Sequence, residues 1–311
     1  MPYFTRLADL WEFLKLPQDT IPEKNAFPFL VSRHFAGKME KGNRQDPLLL
    51  QVLPQVREAI PAEGFSEDPV GDFAARADSG ILQKYEGRAL LVTHSACSLH
   101  CRFCFRRNYL HSNARISLEK LNRFLSENPD IRELILSGGE PFLLDPVFFE
   151  SLIQTILAHP QIQTIRIHSR IPVTRPEVLP DYALSLEQIP KRIRGVLVSH
   201  VNHPNELDAA SASALRDFRN LGFTLLNQSV LLKGVNDSPE ILISLSEKLF
   251  SQQVLPYYLH QLDHAQGTAH FETENSRALQ IHETLRKKLP GYLVPKLVRE
   301  IAGKPFKMPL V

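Results

Sequence analysis

Cys97-Ser98-Leu99-His100-Cys101-Arg102-Phe103-Cys104, followed at once by Phe105-Arg106-Arg107, holds all three cysteines of a 311-residue chain. The CxxxCxxC spacing crowds soft thiolate ligands into one short stretch and leaves none elsewhere, which suits a single metal centre better than a disulfide framework. A four-iron cluster is usually held by four cysteines. Three ligands leave one iron open, and an open position points to chemistry. The bland alternative is a structural zinc site completed by His94 or His100, but no later cysteine supplies the distant second ligand pair common in zinc sites.

Working outward, the run before the cysteines, Ala89–Val92, is the first of six apolar runs that read as buried strands. The others are Leu134–Leu136, Thr164–Ile167, Gly195–Ser199, Thr224–Gln228 and Leu255–His260. Amphipathic helices at Ser117–Asn128, Pro146–His159, Leu207–Asn220 and Ile241–Gln252 separate them. Strands alternating with helices imply a parallel α/β sheet. Ligands gather at the carboxyl ends of such strands. Polar clusters fall at those ends: the cysteine stretch, Ser137-Gly138-Gly139-Glu140, His168-Ser169-Arg170, His200-Val201-Asn202-His203, Asn227-Gln228-Ser229 and Gln261-Leu262-Asp263.

Residues 1–80 read as a helical extension, with Leu7, Leu10, Trp11, Phe13 and Leu14 at helical spacing and a second apolar stripe over Leu48 to Ile60 broken by Pro54. A last helix, Glu274–Leu289, leads to Tyr292–Val298 and a tail rich in Lys, Pro and Gly. With 36 Lys and Arg against 34 Asp and Glu, the net charge of +2 gives no strong field for nucleic acid or anionic lipid, so the partner is expected to be small. No signal-peptide core and no apolar run near the ~20 residues of a membrane span is seen. A cytoplasmic protein with reduced thiols is expected.

Ser137-Gly138-Gly139-Glu140-Pro141 can be a tight turn, or a place where backbone polar groups are bared to a closely approaching ligand. Joined to CxxxCxxC on the loop after the first strand, it resembles the radical S-adenosylmethionine (SAM) enzymes. In these, three cysteines hold a 4Fe–4S cluster and the cofactor's amino acid part chelates the fourth iron. Cys104-Phe105-Arg106-Arg107, Arg166-Ile167-His168-Ser169-Arg170, His203-Pro204-Asn205-Glu206, Leu226–Leu232, Val235-Asn236-Asp237, Pro256-Tyr257-Tyr258 and Gly291–Pro295 narrow the resemblance to the lysine 2,3-aminomutase group. Met39-Glu40-Lys41-Gly42-Asn43 with Asp46-Pro47-Leu48-Leu49 resembles in particular members that make β-lysine for modifying elongation factor P.

The resemblance implies a partial (βα)6 TIM-like barrel over 81–271, the extension over 1–80, and a helix, strand and cofactor-binding tail over 272–311. It implies SAM, the 4Fe–4S cluster on Cys97, Cys101 and Cys104, and pyridoxal phosphate carried by Lys307, with Lys304 a close neighbour in the tail. Ser137, Gly138, Gly139 and Glu140 would receive the methionine end of SAM, with His200 and Gln228 near its nucleoside. Lys84 and Arg88 would meet the pyridoxal phosphate, with Tyr85 beside its ring. Arg106 would hold the carboxylate of L-lysine, and Asp263 and Glu300 its distal ammonium. The reaction implied is radical migration of the amino group from C2 to C3, with an electron from a donor such as flavodoxin or ferredoxin, in a possible homo-oligomer. The alternatives are an aminomutase for arginine or glutamate, or a non-catalytic iron–sulfur or zinc protein.

Overall fold

The computed structural model describes residues 2–18, 27–78, 80–108 and 116–310. In the extension, helical spacing brings Leu7, Leu10, Trp11 and Leu14 together around α1 (Leu7–Phe13), where they are buried with Val31, Phe35, Leu48 and Leu49 in a core of their own. Around it lie β1 (Tyr3–Phe4), antiparallel to β2 (Val31–Ser32), then α2 (Arg33–Gly37) and α3 (Pro47–Leu50). The Leu48 to Ile60 stripe is split. Asp46 caps α3 by accepting from the amides of Leu48 and Leu49, and beyond Pro54 the chain forms only a 3-10 turn, Val56–Ala59. Proline has no amide hydrogen with which to carry a helix on.

The rest of the chain builds a ten-stranded sheet. It opens with β3 (Arg76–Asp78) and β4 (Ile81–Tyr85), an antiparallel hairpin that continues antiparallel into β5 (Arg88–His94). The boundary expected at 80/81 falls inside this hairpin. From β5 the chain follows the expected alternation: α4 (Leu118–Glu127), β6 (Glu133–Gly138), α5 (Pro146–Leu157), β7 (Thr164–Ser169). An unforeseen insertion of α6 (Ile171–Thr174), a 3-10 stretch Pro176–Tyr182 and α7 (Ala183–Glu187) precedes β8 (Arg194–His200). Then come α8 (Ala209–Asn220), β9 (Thr224–Val230), α9 (Pro239–Ser251) and β10 (Leu255–His260). The helices start where side-chain caps allow: Ser117, Asp145, Asp208 and Ser238 each accept from backbone amides of the first turn. After α10 (Asn275–Lys288), β11 (Lys296–Arg299) adds in parallel to β10, and β12 (Met308–Pro309) pairs antiparallel to β11. The tail segment is therefore part of the sheet.

β5 to β10 are parallel neighbours, which is the expected partial barrel. Because side chains alternate along a strand, each strand shows two characters. Leu134, Leu136, Ile165, Ile167, Leu197, Leu225 and Leu259 pack with Leu121, Leu152, Leu215 and Leu245 of the helices in the main core. Ser137, Arg166, His168, Gln228, Tyr258 and His260 line the hollow of the sheet instead. The sheet's end strands are β12 and β3. Across the gap, Lys84 Nζ and the Tyr85 hydroxyl on β4 reach Glu300, just beyond β11, at 3.4 and 3.1 Å.

A buried charge cluster fastens the cysteine loop to the extension. Glu58, from the 3-10 turn, accepts from Arg102 Nε at 2.8 Å and Arg107 Nη2 at 3.0 Å, while Arg102 Nη1 donates to the carbonyls of Phe27 and Pro28. Burial pushes the Glu58 carboxyl up, but the Arg102 and Arg107 hydrogen bonds and charges outweigh it and hold the carboxyl below its ordinary value. Removing one partner of such a cluster leaves uncompensated buried charge, at a cost of about 3–5 kcal/mol. Glu58→Gln is expected to lose that much in urea unfolding at neutral pH; a loss below ~1 kcal/mol would show that the extension is held by its apolar core alone.

Candidate active site

At the carboxyl ends of the strands lies a cavity of about 310 Å³. Every candidate residue lines it: Cys97, Cys101, Cys104 and Arg106 from the loop after β5; Ser137, Gly138, Gly139 and Glu140 from the end of β6; His200 and Gln228 from β8 and β9; Asp263 after β10; Lys84, Tyr85 and Arg88 from the β4–β5 hairpin; Glu300 and Lys307 from the tail. Lys304 is exposed and is not among the lining residues.

The three thiols are part-buried and unpaired with one another. Burial raises Cys97 well above an ordinary thiol, helped by Cys104 and Cys101, and Cys104 is pushed up to about 11 by burial and then by Cys101. Cys104 and Cys101 thus oppose ionisation of Cys97, and Cys101 opposes that of Cys104, and a bound cationic centre would relieve that opposition. Among the described residues, no three His, Cys, Asp or Glu side chains are gathered as around one ion. His94 and His100 are turned to local duties, His94 Nδ1 accepting from the Ala96 amide at 2.7 Å and His100 Nδ1 lying 3.1 Å from the Pro28 carbonyl.

The glycine pair also has a packing reason: the Gly139 amide donates to the His94 carbonyl at 2.7 Å, and the next amide, of Glu140, to the Ala96 carbonyl at 2.9 Å. The pair clamps the start of the cysteine loop onto β6. A Cβ on Gly139 would stand 2.3 Å from the Ala96 oxygen, and Gly138 has φ +101°, open to glycine at little cost. Glu140 accepts from Ser169 Oγ at 2.7 Å and from the Arg170 amide at 3.0 Å, yet burial still raises its carboxyl to about 7. A buried carboxylate with neutral donors only is suited to an ammonium ligand such as the methionine end of SAM.

Opposite charges interlock along the other wall. Arg106 Nε donates to Asp72 Oδ2 at 2.6 Å, and Lys84 Nζ meets Asp72 Oδ1 at 2.6 Å. Although burial pushes Asp72 up, Arg106 and Lys84 hold it at about 2. Glu300 pairs with Lys307 and Lys84 and accepts from the Tyr85 hydroxyl, and the two lysine charges with these hydrogen bonds likewise overcome burial and bring it to about 2. Glu300 is thus already engaged, unlike a carboxylate waiting for a substrate ammonium. Asp263 is the one that waits. Its Oδ1 is buried without a hydrogen-bond partner, and burial raises the carboxyl to about 7 despite Lys307 nearby.

Asp72 and the side chain of Arg170 were missed in the sequence. Asp72 sits in a Gly- and Pro-containing loop, and its partner lies 34 residues on, so no local spacing announces the pair. Arg166 and Tyr258 had a signal: polar residues alternating with Ile and Leu in strands flanked by helices mean a strand with one wet face.

Residues 91–245 match the Radical SAM superfamily. The chain is 42% identical to an L-lysine 2,3-aminomutase of Haemophilus influenzae over 96% of this chain and 90% of that one. It is 42% identical to one of Escherichia coli, covering 92% and 84%, and 35% identical to one of Buchnera aphidicola, covering 98% and 92%.

Two substitutions check the geometry. Gly139→Ala is expected to destabilise by ~2 kcal/mol or more, because backbone oxygens cannot step aside, whereas Gly291→Ala, with nothing within 4 Å, should stay within about 0.5 kcal/mol. Asp263→Asn tests the waiting carboxylate. Asp263 keeps its proton to about pH 7 when folded and loses it near 3.8 when unfolded, so its contribution to stability falls as pH rises between those values. The variant should match the unmodified chain near pH 4 and exceed it in stability by up to about 4 kcal/mol above pH 7. A stability difference independent of pH would contradict the raised value.

Proposed function

The chain belongs to the radical SAM lysine 2,3-aminomutase family and is an isomerase of that type, and on that premise we propose that it moves the α-amino group of L-lysine to C3, giving β-lysine, with pyridoxal phosphate as second cofactor. Membership of the superfamily implies SAM and a 4Fe–4S cluster. The observation that carries the proposal is that one cavity holds cluster ligands, a carboxylate receptor, an unpaired ammonium receptor and a lysine amine.

Each residue has a task that its surroundings support. Asp72 grips Arg106 by Nε, and Nη1 makes a long bond of 3.4 Å to Ser137 Oγ, which leaves Nη2 and the second hydrogen of Nη1 as a receptor for the substrate carboxylate. Asp263 receives the distal ammonium, and a neutral side chain there would leave the acid unpaired and buried. Lys307 carries the pyridoxal phosphate, and Glu300 holds Lys307 in place at the cavity wall. Arg88 lies over the Tyr85 ring at 5.3 Å, and His168 Nε2 is buried without a partner; both suit an anionic phosphate. When bound, pyridoxal phosphate supplies a π-system able to accept the migrating nitrogen, and SAM with the cluster supplies the radical initiator. Phe103, Leu82 and Val230 line the same cavity and keep water from a radical formed there. A reducing protein such as flavodoxin or ferredoxin would give the electron. The product would serve the modification of elongation factor P, a use supported by the Met39–Leu49 stretch and tested by chiral analysis of the product and its transfer to that factor by a ligase.

Protein reconstituted anaerobically with iron and sulfide, then given SAM, pyridoxal phosphate, reductant and L-lysine, is expected to form β-lysine. Asp263→Ala should lower kcat/KM for lysine by at least 10²-fold, in line with loss of a buried charge pair. Borohydride reduction followed by peptide mapping should place the pyridoxyl label on Lys307. Absence of β-lysine from protein carrying both cofactors would overturn the assignment, and a faster reaction with arginine or glutamate would reassign the substrate.

A further inference from the structure

We propose that Arg170 is a positioning residue for the cluster, whose guanidinium hydrogen-bonds the Cys101 ligand and raises the potential at which the cluster takes up an electron. The inference rests on the cluster assignment above.

Arg170 follows β7 and is 8% exposed. Its Nη1 lies 2.8 Å from Cys101 Sγ. Its Nη2 donates to Gln51 Oε1 at 2.6 Å and Glu206 Oε2 at 2.9 Å, and its Nε is buried with no protein partner. The backbone amide of the same residue binds Glu140. The planar group cannot easily turn away. Glu206 is itself fixed by the amides of Asn202 and His203 at 2.9 and 3.1 Å, and Gln51 is fixed by Asn202 Nδ2 at 3.0 Å. Gln51 belongs to the extension, beside α3, and its carbonyl also accepts from the Arg102 amide at 2.9 Å, so the extension sets both the loop and the donor aimed at it.

Reduction adds one electron from an external reductant to the cluster, and no bond need form or break. The added charge spreads onto the ligating sulfurs. A cationic donor on one of them, in surroundings of low dielectric, favours the more negative state and so raises the potential. Glu206 offsets part of that charge, but it is bound to Nη2, while Cys101 meets Nη1.

The test is a redox titration of the reconstituted cluster, followed by electron paramagnetic resonance, in the unmodified protein, Arg170→Lys and the double variant Arg170→Met with Glu206→Gln. The double variant removes both charges together and leaves neither buried alone. At a fixed ambient potential the ratio of reduced to oxidised cluster should fall at least tenfold in the double variant, equivalent to about 59 mV for a one-electron couple, and should fall less in Arg170→Lys, which keeps the charge. An unchanged ratio in the double variant, with the same iron content and melting transition, overturns the proposal. Should the double variant fail to fold and load, electron–nuclear double resonance on the reduced cluster of ¹⁵N-arginine-labelled unmodified protein decides: an arginine nitrogen coupling is expected, and its absence overturns the proposal. An unmodified protein without any iron–sulfur spectrum would instead remove the cluster assignment itself.

Discussion

Glu300 ties the structure shut. Among the described residues β3 and β12, the end strands of the sheet, are not paired with each other, so side chains help to join the two sides of the hollow. Glu300 does this by meeting Lys84 and Tyr85 from one side and Lys307 from the other. Because this carboxylate is only 11% exposed and solvent screens it little, losing one of its two cations would leave buried charge unpaired. The same contact holds Lys307, the lysine proposed to carry the cofactor, so one residue would serve both barrel closure and cofactor placement.

The extension is equally part of the site. Its Glu58 and Gln51 hold Arg102, Arg107 and Arg170 from behind the cysteine loop, while Asp72 holds Arg106 from the side. Four arginines around one eleven-residue stretch would repel each other strongly if left unmatched in a buried place. Glu58, Gln51 and Asp72, which match most of them, come from residues before β3, and Glu206, beyond β8, completes the match at Arg170. What looks in the sequence like an N-terminal cap is therefore the counter-charge of the loop, and the loop's shape depends on it.

Much of this was readable from spacing. The alternation of strands and helices located β5 to β10, and CxxxCxxC with Ser137-Gly138-Gly139-Glu140 located one end of the hollow. Three things were not readable. The β3–β4 hairpin pairs a three-residue strand of exposed and half-buried residues with a five-residue one, and β12 is two residues long, so neither carries a periodic signal. Gly139 is required by the approach of another backbone, which no local pattern encodes. Asp72 and Arg170 act on partners 34 and 69 residues away, and only the folded sheet brings those together. No helix among the described residues is long and apolar enough to cross a membrane.

Leaving the barrel open carries a hazard that closure would avoid, since each end of an open sheet offers unpaired backbone groups to other chains. Here the end strands are β3, of three residues, and β12, of two, and Asp78 on β3 is paired with Lys120 and Arg123. A three-residue edge with a paired charge and a two-residue edge that includes Pro309 are poor templates for strand addition. The protein can keep its hollow accessible at the gap and still resist the sheet-to-sheet aggregation that a longer, apolar edge would invite.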